Sequence, residues 1–234
     1  MTDVRNTGAS IRLRSFGAAV AALLLTATLA TAVDITNCSQ TVPAGATGVL
    51  VADLDCSLGY GSYAVTLSKS ARLQLNGFAL RSNANGIHCL GSCRITGPGE
   101  VARTEPSCTS ESSIDTYGVF GDGTVKLDRV TLTSWGYATW ASSRLRAQGV
   151  HVSGQCLGLV GNDARIVVRG STITDNFGLG VAGVGPVTVI DSTVTGNFID
   201  ILAGRRPRIR TSTCETSGGG AGSPPDTWGI CSNP

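Results

Sequence analysis

The sequence has few of the side chains that a metal site needs. Only two of its 234 residues are histidines, His88 and His151, and the close cysteine pair Cys89 and Cys93 has no second close pair. Structural zinc sites require four closely placed soft ligands. We therefore expect no metal and no cofactor, with zinc as the alternative role for the cysteines.

A strong net charge and repeated long apolar runs are also missing. The formal net charge is +2, and removing the N-terminal segment takes away three arginines and one aspartate, which leaves a formally neutral chain. Proteins that bind nucleic acid through their overall charge are strongly basic, so we expect no nucleic-acid partner. Apart from the N-terminal stretch, no segment approaches the length that spans a membrane.

The one long apolar run lies near the N-terminus and has the organisation of a secretory signal. Arg5, Arg12 and Arg14 precede the run FGAAVAALLLTATLA at residues 16–30, and small residues follow it up to Ala32. This pattern predicts a signal peptide at 1–32 and a mature domain at 33–234, secreted or periplasmic and without membrane contact after cleavage. An uncleaved membrane anchor is the alternative, although the run is shorter than a comfortable span.

An internal repeat is the main signal in the mature chain. Residues 166–176 are IVVRGSTITDN and residues 187–197 are VTVIDSTVTGN, 21 positions later. Apolar residues at the centres of successive units follow at intervals of 20 or 21: Leu132, Val152, Ile173, Val194 and Cys214. Leu75 and Ile95 are assigned to the same series upstream, with the polar insertion at 102–115 enlarging one turn. A period near 20 residues indicates a solenoid.

The alternation within each unit indicates strands rather than helices. Val187 and Val189, or Ile166 and Val168, occupy alternate positions before the unit centre, as on the inward face of a β-strand. No helical spacing is present, and the leucine and asparagine ladder of leucine-rich repeats is absent. The sequence therefore predicts an all-β, single-domain parallel β-helix of about seven rungs with three short strands per rung. Asn176 and Asn197 would form a hydrogen-bonded ladder at one bend.

The chain resembles the right-handed parallel β-helix proteins of the pectin-lyase-like superfamily. The segments that carry the resemblance are LQLNGFAL at 73–80, GIHCLGSCRITGPGEV at 86–101, and the STITDN and STVTGN units. The resemblance implies a right-handed coil but specifies fold rather than activity. Members that cleave pectate or polygalacturonate carry aspartates and basic residues that have no clear counterparts here.

All eight cysteines follow the predicted signal peptide, which favours disulfides in an oxidising compartment. Eight cysteines allow 105 pairings. Because the ends of a solenoid need covers, we favour Cys214 with Cys231 and Cys38 with Cys56. The remaining pairs would be Cys89 with Cys93 and Cys108 with Cys156.

Cations recur on the outward side of one predicted strand, where they form a basic strand face. Its expected binding residues are Lys126, Arg146, Arg169, Arg208 and Arg210. The paired N–H donors of an arginine guanidinium suit the carboxylates or sulfates of an acidic polysaccharide, so the sequence predicts a glycan-binding protein. The alternative is a charged surface that serves only solubility.

A catalytic alternative is a polysaccharide lyase or glycoside hydrolase. The predicted register places Arg94 and His151 in one outward column, and Glu100, Glu105 and Glu111 would supply carboxyl groups from loops. Threonine pairs at 131–133, 172–174 and 193–195 resemble the flat ranks of ice-binding solenoids, but His151 interrupts them. Threonine also suits exposed strands in general.

Overall fold

The protein is a parallel β-solenoid, as seen in a computed structural model that describes residues 32–105, 108, 115–219 and 228–231. Within these residues the secondary structure consists of 26 short strands in three parallel sheets. The coil is right-handed and completes about 8 turns. The all-β parallel β-helix predicted from the repeat is confirmed.

The first turn contributes a strand to sheet A and one to sheet B, and each later turn contributes one strand to sheet A, then one to sheet C, then one to sheet B. Sheet A contains nine strands: β1 (Ala32–Ile35), β3 (Thr47–Leu50), β6 (Arg72–Gln74), β9 (Cys93–Thr96), β12 (Thr124–Asp128), β15 (Arg144–Gln148), β18 (Arg165–Arg169), β21 (Val187–Ile190) and β24 (Arg208–Arg210). Sheet C contains eight: β4 (Leu54–Cys56), β7 (Ala79–Ser82), β10 (Glu100–Arg103), β13 (Thr131–Thr133), β16 (His151–Ser153), β19 (Thr172–Thr174), β22 (Thr193–Thr195) and β25 (Thr213–Cys214). Sheet B contains nine: β2 (Gln40–Val42), β5 (Tyr63–Leu67), β8 (Asn85–Cys89), β11 (Tyr117–Gly121), β14 (Tyr137–Ala141), β17 (Leu157–Gly161), β20 (Leu179–Gly183), β23 (Ile199–Ala203) and β26 (Ser217–Gly218).

The predicted file of apolar residues is present in sheet C. Five buried residues, one per turn, follow one another in register: Leu132, Val152, Ile173, Val194 and Cys214. Stacking on a neighbour about 4.8 Å away removes each side chain from water, which stabilises the fold by about 1.5–3 kcal/mol per fully buried Val, Leu or Ile. The near-identical units therefore reflect a continuous core.

The upstream part of the predicted register is wrong. Val101 and then Leu80 continue the file from Leu132, whereas Ile95 pairs with Leu127 in sheet A. The enlarged turn lies between β10 and β11, so the file residue that precedes it is Val101 rather than Ile95. Since each turn has three apolar strands, a lengthened turn leaves the phase of the repeat ambiguous.

A polar ladder fixes the bend between sheets C and B. Asn176 Nδ2 donates to Asn197 Oδ1 at 2.7 Å, and Asn176 Oδ1 accepts from the Gln155 backbone nitrogen at 3.0 Å. The ladder ends at Asp200, whose side chain is completely buried. Both asparagines are buried as well, so the predicted ladder is confirmed.

Four disulfides tie the coil together with the pairings that the sequence favoured. They join Cys38 to Cys56, Cys89 to Cys93, Cys108 to Cys156, and Cys214 to Cys231. The last one fastens the C-terminal segment over the final turn, where Trp228 Nε1 donates to the Gly218 carbonyl at 2.8 Å.

Part of the sequence prediction lies beyond the structural description. The predicted signal peptide is outside the described residues except for Ala32, which begins β1. In the described ranges, no helix has the length and apolar character required to cross a lipid bilayer.

Candidate functional site

A column of four cations runs along the outer face of sheet A. Strand pairing aligns Arg72 with Arg94, Arg94 with Lys126, and Lys126 with Arg146. All four side chains are exposed, because outward positions alternate with the buried core residues of each strand. Successive cations are therefore one rung apart, about 4.8 Å along the coil axis.

Arginines in the two flanking columns widen this column into a groove. Arg144 pairs with Arg165 on one side, and Gln148 pairs with Arg169 on the other. Two adjoining depressions of about 340 and 330 Å³ share Arg144 and Arg146 in their lining. We call this surface the basic groove, and its cations are Arg72, Arg94, Lys126, Arg144, Arg146, Arg165 and Arg169.

The charge of the basic groove is not neutralised from within the described parts of the chain. The ion pairs found there involve Arg81 and Arg129, and Asp122 contacts His88 Nε2 at 3.2 Å, so none of these carboxylates meets a cation of the groove. Asp128, the last residue of β12, lies in the outward column that continues through Gln148 to Arg169, and its Oδ1 is 3.6 Å from Arg129 Nε. Uncompensated arginines at a regular spacing attract anions and present forked donors to carboxylates or sulfates.

The structure divides the five binding residues expected from the sequence. Lys126, Arg146 and Arg169 line the basic groove. Arg208 and Arg210 line a separate depression at the last turn, because Val167 and Thr188 occupy the intervening rungs of the column.

Arg72 and Arg94 belong to the basic groove, but the sequence analysis did not place them there. The misaligned upstream register assigned Arg94 to the threonine-rich face instead. Aligning RLQ at 72–74 and CRIT at 93–96 with the TVKLD unit at 124–128 by their inward residues would have found both arginines.

The expected Arg94 and His151 column does not exist. Arg94 lies on sheet A, whereas His151 lies on sheet C between Thr131 and Thr172. His151 Nε2 is 3.4 Å from Ser153 Oγ on its own strand. The structure therefore does not bring the two catalytic candidates together.

The three glutamates of the catalytic alternative do not converge either. Glu100 lies on sheet C, where its Oε1 accepts a hydrogen bond from Thr133 Oγ1 at 2.7 Å. Glu105 is exposed at the start of the insertion. Glu111 lies outside the described residues. No group of three or more potential metal ligands occurs among the residues that the structure describes.

Sheet B carries an aromatic cluster that the sequence analysis did not predict. Its members are Tyr63, His88, Tyr117, Phe120, Tyr137 and Trp140. Tyr117 and Tyr137 stack with ring centroids 5.1 Å apart, and Tyr63 stacks on His88 at 4.5 Å. Three residues separate Trp140, in β14, from Arg144, the first residue of β15 and a member of the basic groove.

The pKa values of three tyrosines in the aromatic cluster are raised above their ordinary value. Partial burial, with smaller contributions from Tyr117 and Asp122, raises the pKa of Tyr63 to about 12. Burial also raises the pKa of Tyr117 and of Tyr137. The phenols of Tyr63, Tyr117 and Tyr137 therefore remain uncharged well beyond neutral pH.

Alkaline pH is expected to weaken the fold through Tyr63. Because its folded pKa is raised, the stabilisation is complete below the unfolded value of about 10 and is lost as the pH rises toward 12. Tyr63→Phe should therefore lose less free energy of unfolding than the natural protein between about pH 9 and about pH 11. Denaturant unfolding at both values measures this difference. Tyr60→Phe, at an exposed site, is the control, and equal losses in Tyr63→Phe and the natural protein would contradict the assignment.

A scan against protein-family models, a search of curated proteins and a search of solved structures each found no match to this chain. The class of this protein is therefore defined by its fold and by the basic groove. The chain is a disulfide-bonded parallel β-helix protein with a basic groove along one sheet. The parallel β-solenoid fold is established, and membership of the pectin-lyase-like superfamily is not shown by these comparisons.

Proposed function

We propose that this is an exported protein that binds an acidic polysaccharide along the basic groove. The observation that carries the proposal is the column of Arg72, Arg94, Lys126 and Arg146, four cations on successive rungs. An extended polymer with one carboxylate or sulfate per sugar would meet a new cation at each rung. Four disulfides are consistent with export to an oxidising compartment.

Binding is favoured over cleavage by the residues that line the groove. The described lining of both depressions contains arginine, lysine, serine and threonine but no aspartate or glutamate. Glycoside hydrolysis needs two carboxyl groups about 5–10 Å apart. The groove thus has the donors for holding an acidic polymer and lacks the carboxylate pair for hydrolysing it.

Replacing Arg146 and Arg169 together by serine should weaken binding to polygalacturonate or alginate by about tenfold or more, because hydrogen bonds between charged groups contribute about 1.5–3 kcal/mol each. Retention on an immobilised polymer and titration calorimetry with soluble oligomers measure the loss. The thermal stability should be unchanged, since both side chains are exposed.

The matched control changes Arg103 and Arg129 to serine, which removes the same charge away from the groove. Its affinity should equal that of the natural protein. Equal retention of the groove variant and the natural protein would refute the proposal. The same incubations report cleavage, since new reducing ends or an unsaturated product would favour the lyase or hydrolase alternative.

A further inference from the structure

Two phenylalanines stand almost fully in solvent on neighbouring turns of the bend between sheets C and B. Phe177 is 70% exposed and Phe198 is 71% exposed. Each follows an asparagine of the ladder, Asn176 or Asn197, at the equivalent position of its unit. Exposed aromatic rings that repeat in register on a rigid scaffold indicate a binding surface more strongly than a single exposed ring does.

The ladder holds the backbone beneath the two rings in a fixed position. Asn197 Oδ1 accepts from Asn176 Nδ2 at 2.7 Å and from the Asn176 backbone nitrogen at 3.1 Å. The Phe177 backbone nitrogen donates to the Gln155 carbonyl at 2.8 Å. The backbone that carries both rings is therefore ordered before any ligand binds, which lowers the entropic cost of binding.

The polar groups beside the rings are acceptors with negative charge. Asp175 lines the same depression of about 480 Å³ as the two phenylalanines. Glu215 lies on the next turn, where its Oε2 accepts from the Gly196 backbone nitrogen at 3.3 Å. Both carboxylates are exposed, and neither has a cationic partner in the described part of the chain.

We infer that this surface binds an uncharged polysaccharide, with Phe177 and Phe198 stacking on sugar rings. The C–H faces of a pyranose carry a slight positive charge that suits the negative face of an aromatic ring. Its hydroxyl groups supply donors for Asp175 and Glu215, and charge-assisted hydrogen bonds of this kind are strong. The same carboxylates repel acidic polymers, so this site differs in ligand from the basic groove. The inference stands apart from the proposed function because it uses another face and other residues.

The test compares the natural protein with a Phe177→Ala, Phe198→Ala double variant. The probes are cello-, xylo- and chito-oligosaccharides in titration calorimetry, together with depletion by the corresponding insoluble polymers. The natural protein should bind at least one of the three, and the double variant should bind it about tenfold more weakly, as loss of aromatic contacts predicts. Phe177→Tyr with Phe198→Tyr should preserve binding because both rings remain.

Two controls separate this site from other causes. Tyr60→Ala removes a different ring, which is 80% exposed, and should leave the affinity for the neutral sugar unchanged. The Arg146→Ser, Arg169→Ser variant should also bind the neutral sugar with unchanged affinity. Failure of the acidic-polymer proposal would therefore not change the outcome expected here. Folding of the double variant is not in question, since exposed substitutions change stability by about 0.5 kcal/mol or less.

Several outcomes would overturn the inference. One is that the natural protein binds none of the three neutral glycans, and another is that the alanine variant binds as tightly as the natural protein. Analytical ultracentrifugation gives the oligomeric state of both proteins. If the natural protein self-associates and the alanine variant is monomeric, the two phenylalanines form a contact between copies of this chain and not a sugar site. Retention of a lysine-rich peptide in place of the sugars would assign the carboxylates to a cationic partner.

Discussion

Replacement of Asp200 by alanine is expected to lower the free energy of unfolding by about 3–5 kcal/mol, because each of several buried hydrogen-bond donors left without an acceptor costs about 1–3 kcal/mol. Asp200 Oδ1 accepts from the Asn197 backbone nitrogen at 3.2 Å and from Asn197 Nδ2 at 2.8 Å. Its Oδ2 accepts from the backbone nitrogens of Glu215 and Thr216 at 2.7 and 3.0 Å. Four donors at the end of the ladder therefore depend on one fully buried side chain.

The asparagine variant distinguishes hydrogen bonding from side-chain volume. Asp200→Asn keeps the shape of the side chain but replaces one carboxylate oxygen by an NH2 group. The hydrogens of that group then face the two N–H donors that the oxygen accepted from. We expect its loss of stability to approach that of Asp200→Ala, while Asp191→Asn, at an exposed turn, should have little effect. Denaturant unfolding followed by circular dichroism measures all three. An asparagine variant as stable as the natural protein would contradict this account of the ladder.

The repeat could be predicted from the sequence because the core imposes it. Each of Val152, Ile173 and Val194 must lie on its own copy one turn away, so the apolar positions recur with the length of a turn. The same constraint predicts the asparagine ladder, whose members satisfy each other only when they stack. Physical contact between equivalent residues is what turns a sequence period into a structural prediction.

The register upstream of the insertion could not be obtained in the same way. Leu75 and Ile95 are buried apolar residues with the right spacing, but so are Leu80 and Val101, which form the actual file. A turn of three apolar strands contains several series with the same period. Only the position of the insertion within the turn distinguishes them, and the spacing of the apolar residues does not by itself determine it.

Outward side chains were less predictable because burial does not constrain them. Arg72 and Arg94 join the basic groove only through the corrected register. The aromatic contact between Tyr63 and His88 is harder still to predict from the sequence, because strand pairing aligns Tyr63 with Asn85 and His88 with Thr66. The two rings meet diagonally across neighbouring strands, a contact that a search for equivalent positions does not find.

Neutralising three consecutive rungs of the groove is expected to reduce affinity for an acidic polysaccharide by roughly a hundredfold or more, since charge-assisted hydrogen bonds contribute about 1.5–3 kcal/mol each. The variant changes Arg94, Lys126 and Arg146 to glutamine. Glutamine keeps most of the side-chain length, so the groove retains its shape while losing charge from its centre. Titration with oligogalacturonates of increasing length measures the effect.

The dependence on length and salt separates a built groove from diffuse attraction. In the natural protein, affinity should rise with each added uronate until the oligomer covers the four aligned rungs, and then level off. Added salt should weaken binding, because each neutralised charge releases counterions, and the triple variant should show a shallower salt dependence. The matched control changes Arg81, Arg103 and Arg129 to glutamine and should behave as the natural protein does. Equal losses in both triple variants would mean that overall charge, rather than the aligned column on sheet A, attracts the polymer.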